Sequence, residues 1–289
     1  MILPGVRLPS PVTEVYDDRL AAGGVRLLLK RDDLIHPEVP GNKWRKLRYN
    51  LDEAARRGHA TVLTYGGAYS HHLRATAIAC RHLGFASVGV VRGEPHPPLN
   101  PVLADAVANG MTLTYLDRAA YRAKTDPVAV AALRRRFGDA YVIAEGGGNA
   151  LGVRGCAELP AELPRGVDVV CCASGTGTTL AGIAAGLAPG RQRAIGFAVL
   201  RGGEFLTGEV TRLQRAYGRQ TSNWSVETEF HFGGYARRTP ALDDFVTDFR
   251  HRHDVTLDRV YEAKALYGLI ALVDRGRFPP GTTVAAVIA

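Results

Sequence analysis

The chain has 289 residues, 46% of them hydrophobic and 22% charged, with 33 glycines and 16 prolines, an ordinary globular composition long enough for one large or two modest domains. It has no apolar run of the roughly eighteen residues that a membrane helix needs, and its four cysteines, Cys80, Cys156, Cys171 and Cys172, lack metal-ligand spacing, so neither a membrane span nor a metal centre is expected. The formal charge of +8 is spread along the chain, and its densest cluster, Arg134-Arg135-Arg136, has no interleaved aromatic platform, so small anionic ligands are expected rather than nucleic acid.

Taken in chain order, apolar β-rich runs alternate with helix-period segments. The pattern predicts a strand over Val25–Lys30, a helix near Lys43–Arg57, a strand over Thr61–Tyr65 and a helix near Ser70–Leu83. It continues with strand Ser87–Val91, helix Pro101–Asn109, strand Thr112–Leu116, helix Val128–Phe137, strand Tyr141–Ala144 and helix Leu151–Leu163. The last third reads as strand Val167–Cys172, helix Thr179–Leu187, strand Ala194–Leu200, helices Gly203–Tyr217, Pro240–His253 and Tyr261–Arg275, and strand Thr283–Ile288. Strands apolar on both faces and separated by helices predict a parallel sheet covered on each side. No polar linker divides the chain, so a second domain is expected as an insertion, over about Arg45 to Gly147.

Ligands on such sheets sit where strands feed into helices, and several segments bear on this. Lys43, in Gly41-Asn42-Lys43-Trp44-Arg45-Lys46, opens a helix among further cations. Neighbouring positive charge favours the free amine that carbonyl chemistry needs, whereas the plain alternative is a cationic helix start in solvent. Ser174-Gly175-Thr176-Gly177-Thr178-Thr179 follows a buried strand and leads into a small-residue helix. Its glycines and hydroxyls make either a phosphate cradle or a simple turn. Gly66-Gly67-Ala68-Tyr69-Ser70-His71-His72 places Ser70 at a helix start, as an ordinary N-cap or as a hydroxyl that holds a carboxylate or moves a proton. Adjacent histidines do not share a helix face, so a two-histidine metal site is not expected there. Glu145-Gly146-Gly147-Gly148 reads as a flexible connection, and Tyr261-Glu262 as a helix start with a dipole-favoured acid.

The stretches KRDDL…GNKWRKL, GGAYSHHLRA, GVVRGE, EGGGNALGVRGCAEL, ASGTGTTLAG, HFGGYARRTP and LDRVYEAKALYGL together resemble the pyridoxal-phosphate (PLP) family that contains 1-aminocyclopropane-1-carboxylate deaminase and D-cysteine desulfhydrase, over nearly the whole chain. The resemblance implies an α/β, three-layer parallel-sheet PLP fold type II (tryptophan synthase β-like) with a smaller inserted α/β domain. On that basis residues 1–44 and 148–289 form the large PLP-binding domain and residues 45–147 the small inserted one. It implies Lys43 as the Schiff-base lysine, Ser70 and Tyr261 as further catalytic residues, and Gly175, Thr176, Gly177, Thr178 and Thr179 as the phosphate loop. Glu262 falls where the deaminases carry a glutamate near the pyridine nitrogen, and His71 stands where the family has the asparagine that bonds the cofactor's phenolic oxygen. Two further departures are Gly148 in place of a serine and an end at Val287-Ile288-Ala289, where many relatives continue with a His-Thr-Gly-Gly segment.

The expected activity is therefore that of a PLP-dependent deaminase or desulfhydrase, converting a small amino acid to a 2-oxoacid and ammonia. The alternative is a PLP-binding protein with little turnover, acting in cofactor homeostasis or as a partner protein. A small amino-acid substrate, a homodimer, and no nucleic-acid or membrane partner are expected. The N-terminus lacks the pattern of a signal peptide, so a cytoplasmic location is expected.

Overall fold

In a computed structural model, which describes residues 3–39 and 41–289, the alternation of strand and helix signals is realised nearly throughout. Met1, Ile2 and Pro40 lie outside the described residues. In chain order the elements are β1 (Val12–Val15), α1 (Asp18–Ala22), β2 (Arg26–Arg31), α2 (Lys43–Arg56), β3 (Thr61–Gly66), α3 (His71–Leu83), β4 (Ala86–Arg92) and α4 (Pro101–Ala108). There follow β5 (Met111–Leu116), α5 (Arg118–Arg122), α6 (Pro127–Phe137), β6 (Tyr141–Ile143), α7 (Ala150–Ala157) and β7 (Val169–Ser174). The remainder is α8 (Thr178–Gly186), β8 (Arg193–Ala198), α9 (Phe205–Tyr217), β9 (Trp224–Glu227), α10 (Pro240–His253), α11 (Glu262–Asp274) and β10 (Thr283–Ile288).

The chain divides into two compact units. One comprises the residues up to Val6 together with His36–Gly152, and the other Arg7–Ile35 together with Val153–Ala289. The unit boundaries thus fall at 6/7, 35/36 and 152/153, and two local anchors act on the segments 36–44 and 148–152. His36 bonds the Pro4 carbonyl through Nε2 at 2.8 Å, and Asn149 and Asn50 exchange amide hydrogen bonds at 2.7 and 3.2 Å.

The larger unit is built on a six-stranded sheet of order β1-β2-β10-β7-β8-β9, parallel except for β1, which runs antiparallel to β2 at the edge. Its strands are apolar on both faces because both are covered. Leu27, Leu29, Val169, Cys171, Val284 and Ala286 pack with α10 and α11, whereas Leu28, Val170, Cys172, Ala285 and Val287 pack with α8 and α9. All six residues of β10 are buried, as a central parallel strand requires. Three layers result, the middle one being the sheet.

The smaller unit carries a four-stranded parallel sheet of order β5-β4-β3-β6. Leu63, Tyr65, Val88 and Val90 meet α5 and α6 through Tyr121 and Leu133, and Val91 and Met111 meet α3 and α4 through Leu73, Ala77, Leu103 and Ala106. The expected helix over Leu151–Leu163 is instead α7 followed by a 3-10 turn over Leu159–Glu162, because Pro160 removes an N–H from the helical ladder. The short edge strands β1 and β9 carry too few residues and too much polar character to have stood out in the sequence.

Candidate active site

In the larger unit, β7 ends at Ser174 and the chain turns through Gly175–Gly177 into α8. Gly177 occupies the N-cap position at φ 72°, a left-handed conformation that suits glycine, and an added Cβ would lie 3.0 Å from Val210 Cγ2. With no side chain at the cap, the first N–H groups of α8 receive no side-chain cap bond. The Thr176 and Thr178 hydroxyls lie 3.3 Å apart beside them, and Thr178 and Thr179 are buried. Converging N–H groups, hydroxyls and the positive end of a buried helix form an anion cradle.

Tyr261 stands at the N-cap of α11, its N–H and that of Val260 both held by Asp258 Oδ1 at 2.8 Å. Its ring reaches the cradle: Cε1 lies 3.6 Å from where a Cβ on Gly175 would be. Its hydroxyl is 3.0 Å from that of Tyr235, the two rings meeting edge to face with centroids 6.0 Å apart. Burial above all, then Tyr235 and the nearby Asp258 and Glu262, hold the Tyr261 phenol well above its usual pKa, so it keeps its proton. Glu262, the first residue of α11, is buried and accepts a hydrogen bond from the Ala289 N–H at 3.1 Å.

In the smaller unit, Lys43 opens α2, half-buried, with its Nζ donating to Asn42 Oδ1 at 3.3 Å. The cations after it do not form a solvated face: Trp44, Arg45, Lys46 and Leu47 are all buried. Ser70 caps α3, its Oγ accepting from the Leu73 N–H at a long 3.4 Å. Gly66 permits this approach, since a Cβ there would collide with Ser70 Oγ at 2.5 Å. His71, the first residue of α3, is half-buried, and its neighbour His72 is fully inside.

His72 Nε2 lies 3.0 Å from Thr64 Oγ1, and that hydroxyl gives its one proton to the Ile143 carbonyl at 2.9 Å. The imidazole must therefore donate through Nε2, which leaves Nδ1 as a bare acceptor, buried and without a hydrogen-bond partner among the described residues. Burial first, and then the positive charges of Lys46 and Lys43, push the His72 pKa down to about 3.

The structure thus places Lys43, Ser70 and His71 in the smaller unit and Gly175–Thr179, Tyr261 and Glu262 in the larger one. Within the larger unit it brings Tyr261 to the Gly175 loop and adds Tyr235, to which the HFGGYARRTP stretch alone assigns no role. His72, half of an adjacent histidine pair, has no local sequence signal that marks its burial. The glycine run after β6 forms a 3-10 turn over Glu145–Gly147, in which Gly147, at φ 71°, is needed for close approach: a Cβ there would meet Lys46 Cβ at 2.8 Å.

A parallel, three-layer sheet with an open, glycine-led helix start and a tyrosine ring over it defines a phosphate-cofactor protein of the α/β class. The family model described as "Pyridoxal-phosphate dependent enzyme" matches residues 9–289, and the chain belongs to that family. A Pyrococcus furiosus protein carrying a provisional 1-aminocyclopropane-1-carboxylate deaminase name is 33% identical over 268 residues, 88% of this chain and 81% of that one. The D-cysteine desulfhydrase of Salmonella typhi is 30% identical over 280 residues, 88% of this chain and 83% of its own. A crystal structure of an ACC deaminase homologue superposes with a TM-score of 0.84 at 27% identity, covering 98% of this chain and 89% of that one. The fold is PLP fold type II and the cofactor is pyridoxal phosphate. The residues fit it: the Gly177-led start of α8 offers donors to a phosphate dianion, and the half-buried Lys43 offers an amine.

Proposed function

We propose that this protein is a PLP-dependent deaminase or desulfhydrase that converts a small amino acid, of the D-cysteine or 1-aminocyclopropane-1-carboxylate type, to a 2-oxoacid and ammonia, with sulfide as a further product from D-cysteine. The observation that carries the reading is the Tyr235–Tyr261 hydroxyl pair held at 3.0 Å with the Tyr261 ring over Gly175. It puts a protonated phenol beside a phosphate cradle, an arrangement suited to proton movement at a substrate anchored there.

When bound, the cofactor supplies an electron sink for charge developing at the substrate's α-carbon. The chain's own residues do the rest. Lys43 Nζ would hold the cofactor's aldehyde carbon in the resting protein and, once the substrate's amine has displaced it from that carbon, would move the proton at the substrate's α-carbon. Gly175, Thr176, Gly177, Thr178 and Thr179 bind the phosphate. Ser70 Oγ, whose cap bond is long, and the neighbouring amides orient the substrate carboxylate. His71 supplies an N–H to the cofactor's phenolic oxygen in place of an amide. Tyr261 Oη holds a proton that Tyr235 Oη can share. Glu262, fixed by the Ala289 N–H, favours a protonated ring nitrogen, a feature of the deaminase pattern. Residues 45–147 would serve as the small inserted domain and the remainder as the large PLP-binding domain. A homodimer in the cytoplasm completes the proposal, the location supported by four buried cysteines, of which burial pushes Cys80 up to about 12.

The test is a steady-state screen of D-cysteine, 1-aminocyclopropane-1-carboxylate, D-serine and L-cysteine for 2-oxoacid release, run beside Lys43→Ala and Glu262→Thr. Turnover that Lys43→Ala abolishes, with a shift of preference toward D-cysteine in Glu262→Thr, is the expected result. Undiminished turnover in Lys43→Ala overturns the assignment. A yellow protein that loses its absorbance in Lys43→Ala but acts on none of the four would instead favour a PLP-binding role with little turnover.

A further inference from the structure

Lys264 is a fully buried cation that the proposed chemistry does not use. A lysine seldom occupies such a position unless its charge is matched. Among the described residues its hydrogen-bond partners are three main-chain carbonyls, Val199 at 3.1 Å, His231 at 3.0 Å and Gly234 at 2.8 Å; burial lowers its pKa, and the charge of Asp258, which does not bond it, works the other way. An ammonium has three N–H donors, so each carbonyl takes one. A neutral amine has only two and would turn a lone pair toward the third.

Two of those carbonyls belong to the loop that carries Tyr235. The loop is not relaxed: Phe232 and Ala236 are held at φ 51° and 56°, a left-handed conformation that costs a side-chain-bearing residue about 1 kcal/mol. Such backbone persists only where its surroundings over-determine it. Within the loop the Gly234 N–H closes back on the His231 carbonyl at 3.1 Å, the Gly233 N–H donates to His231 Nδ1 at 3.0 Å and the Arg237 N–H to the Gly234 carbonyl at 3.1 Å. From outside it, the Phe232 ring meets Tyr267 edge to face at 4.9 Å, Arg238 pairs with Asp243, and Lys264 takes two of its carbonyls. The third carbonyl, Val199, lies just past β8, so one ammonium ties a strand end, the loop and α11 together.

Lys264 also stands three residues after Tyr261, and positions i and i+3 are neighbours on one helix face. The start of α11 therefore grips the loop at two points, Lys264 on its carbonyls and Tyr261 on the Tyr235 hydroxyl. We infer that Lys264 is a positioning residue, whose ammonium takes the carbonyls of Val199, His231 and Gly234 and so fixes the 231–237 loop with the Tyr235 hydroxyl on that of Tyr261. This rests on the proposed function only in so far as the hydroxyl pair serves turnover.

The experiment has one arm that needs no substrate. Arg237 and Arg238, exposed at the end of the loop, are trypsin sites. In Lys264→Met and Lys264→Ala holoenzyme, cleavage there should accelerate on the order of tenfold over the wild type, as local opening becomes easier. Added n-propylammonium, which matches what the alanine variant lacks, should slow cleavage again in Lys264→Ala and leave Lys264→Met unchanged. The second arm is a double-mutant cycle on kcat. Lys264→Met and Tyr235→Phe should each lower it, and the double variant should be no worse than the poorer single one, since one acts through the other. Should both Lys264 variants fail to fold, Lys264→Gln, which keeps two donors, takes their place and should show intermediate cleavage. Wild-type trypsin resistance in the substituted proteins, or multiplicative losses in the cycle, overturns the inference. Failure to find a substrate removes only the second arm and counts against the proposed function, while the trypsin and rescue results still decide the role of Lys264.

Discussion

Two strand-to-helix junctions, β3 into α3 and β7 into α8, use similar residues to opposite ends. Both leave a buried parallel strand through glycines and enter a helix with a hydroxyl residue nearby. At α3 the hydroxyl is at the cap, and Ser70 closes its own helix, with one glycine, Gly66, giving it room. At α8 the cap is Gly177, and the hydroxyls of Thr176 and Thr178 turn toward each other while the helix start stays open. A glycine at the cap forfeits only a few tenths of a kcal/mol relative to serine or threonine, and it leaves the helix's positive end for a dianion. The difference lies in which residue holds the cap position, which makes one junction a scaffold for a side chain and the other a binding surface.

Exchanging those roles should break the contrast. Gly177→Val combines a disfavoured φ with a clash against Val210, and should lower PLP affinity on the order of 10²-fold, equivalent to about 3 kcal/mol, as read by absorbance titration. Unchanged affinity would show that α8 is not the phosphate site.

The α3 junction carries a different liability, a histidine kept neutral by burial. With a folded pKa of about 3 against an ordinary 6.5, His72 binds a proton in the unfolded chain but not in the folded one across that interval. Stability should therefore fall as the pH drops below about 6.5, by about 1.4 kcal/mol per unit, amounting to roughly 3 kcal/mol at pH 4. His72→Gln should flatten that slope in urea titrations at several pH values, and an unaltered slope would assign it to other groups.

Ser70→Ala should cost about 1 kcal/mol of stability through the lost cap and Ser70→Gly less. If Ser70 also orients substrate, both should lower kcat/KM equally, so a kinetic loss that tracks stability alone would reduce Ser70 to a cap. The smallest effect is expected for Thr176→Val, a few-fold loss of PLP affinity from one missing hydroxyl in a cradle of several donors.

Much of the local structure at the candidate site residues was legible because its signals are local. Lys43 after Gly41-Asn42, the Gly175–Thr179 run, Ser70 at a helix start and Tyr261-Glu262 at another each obey rules about caps, turns and strand ends that act within a few residues. The same locality explains why eight of the ten strands among the described residues could be placed from apolar runs, while β1 and β9, short and partly polar, could not. Tyr235 stood in a quoted motif, yet its partner is 26 residues further on and meets it only through a hydroxyl contact across a loop.

The sequence by itself determined the α/β class, the alternating order of elements and the helix starts at which chemistry is sought, because propensity, capping and periodicity are written in neighbouring residues. It took the tertiary structure to put Trp44–Leu47 inside rather than in solvent, to leave His72 Nδ1 buried without a hydrogen-bond partner among the described residues, and to face Lys264 with three carbonyls instead of water. Burial and the identity of a polar partner depend on what the rest of the chain brings alongside, and no short stretch of sequence contains that information.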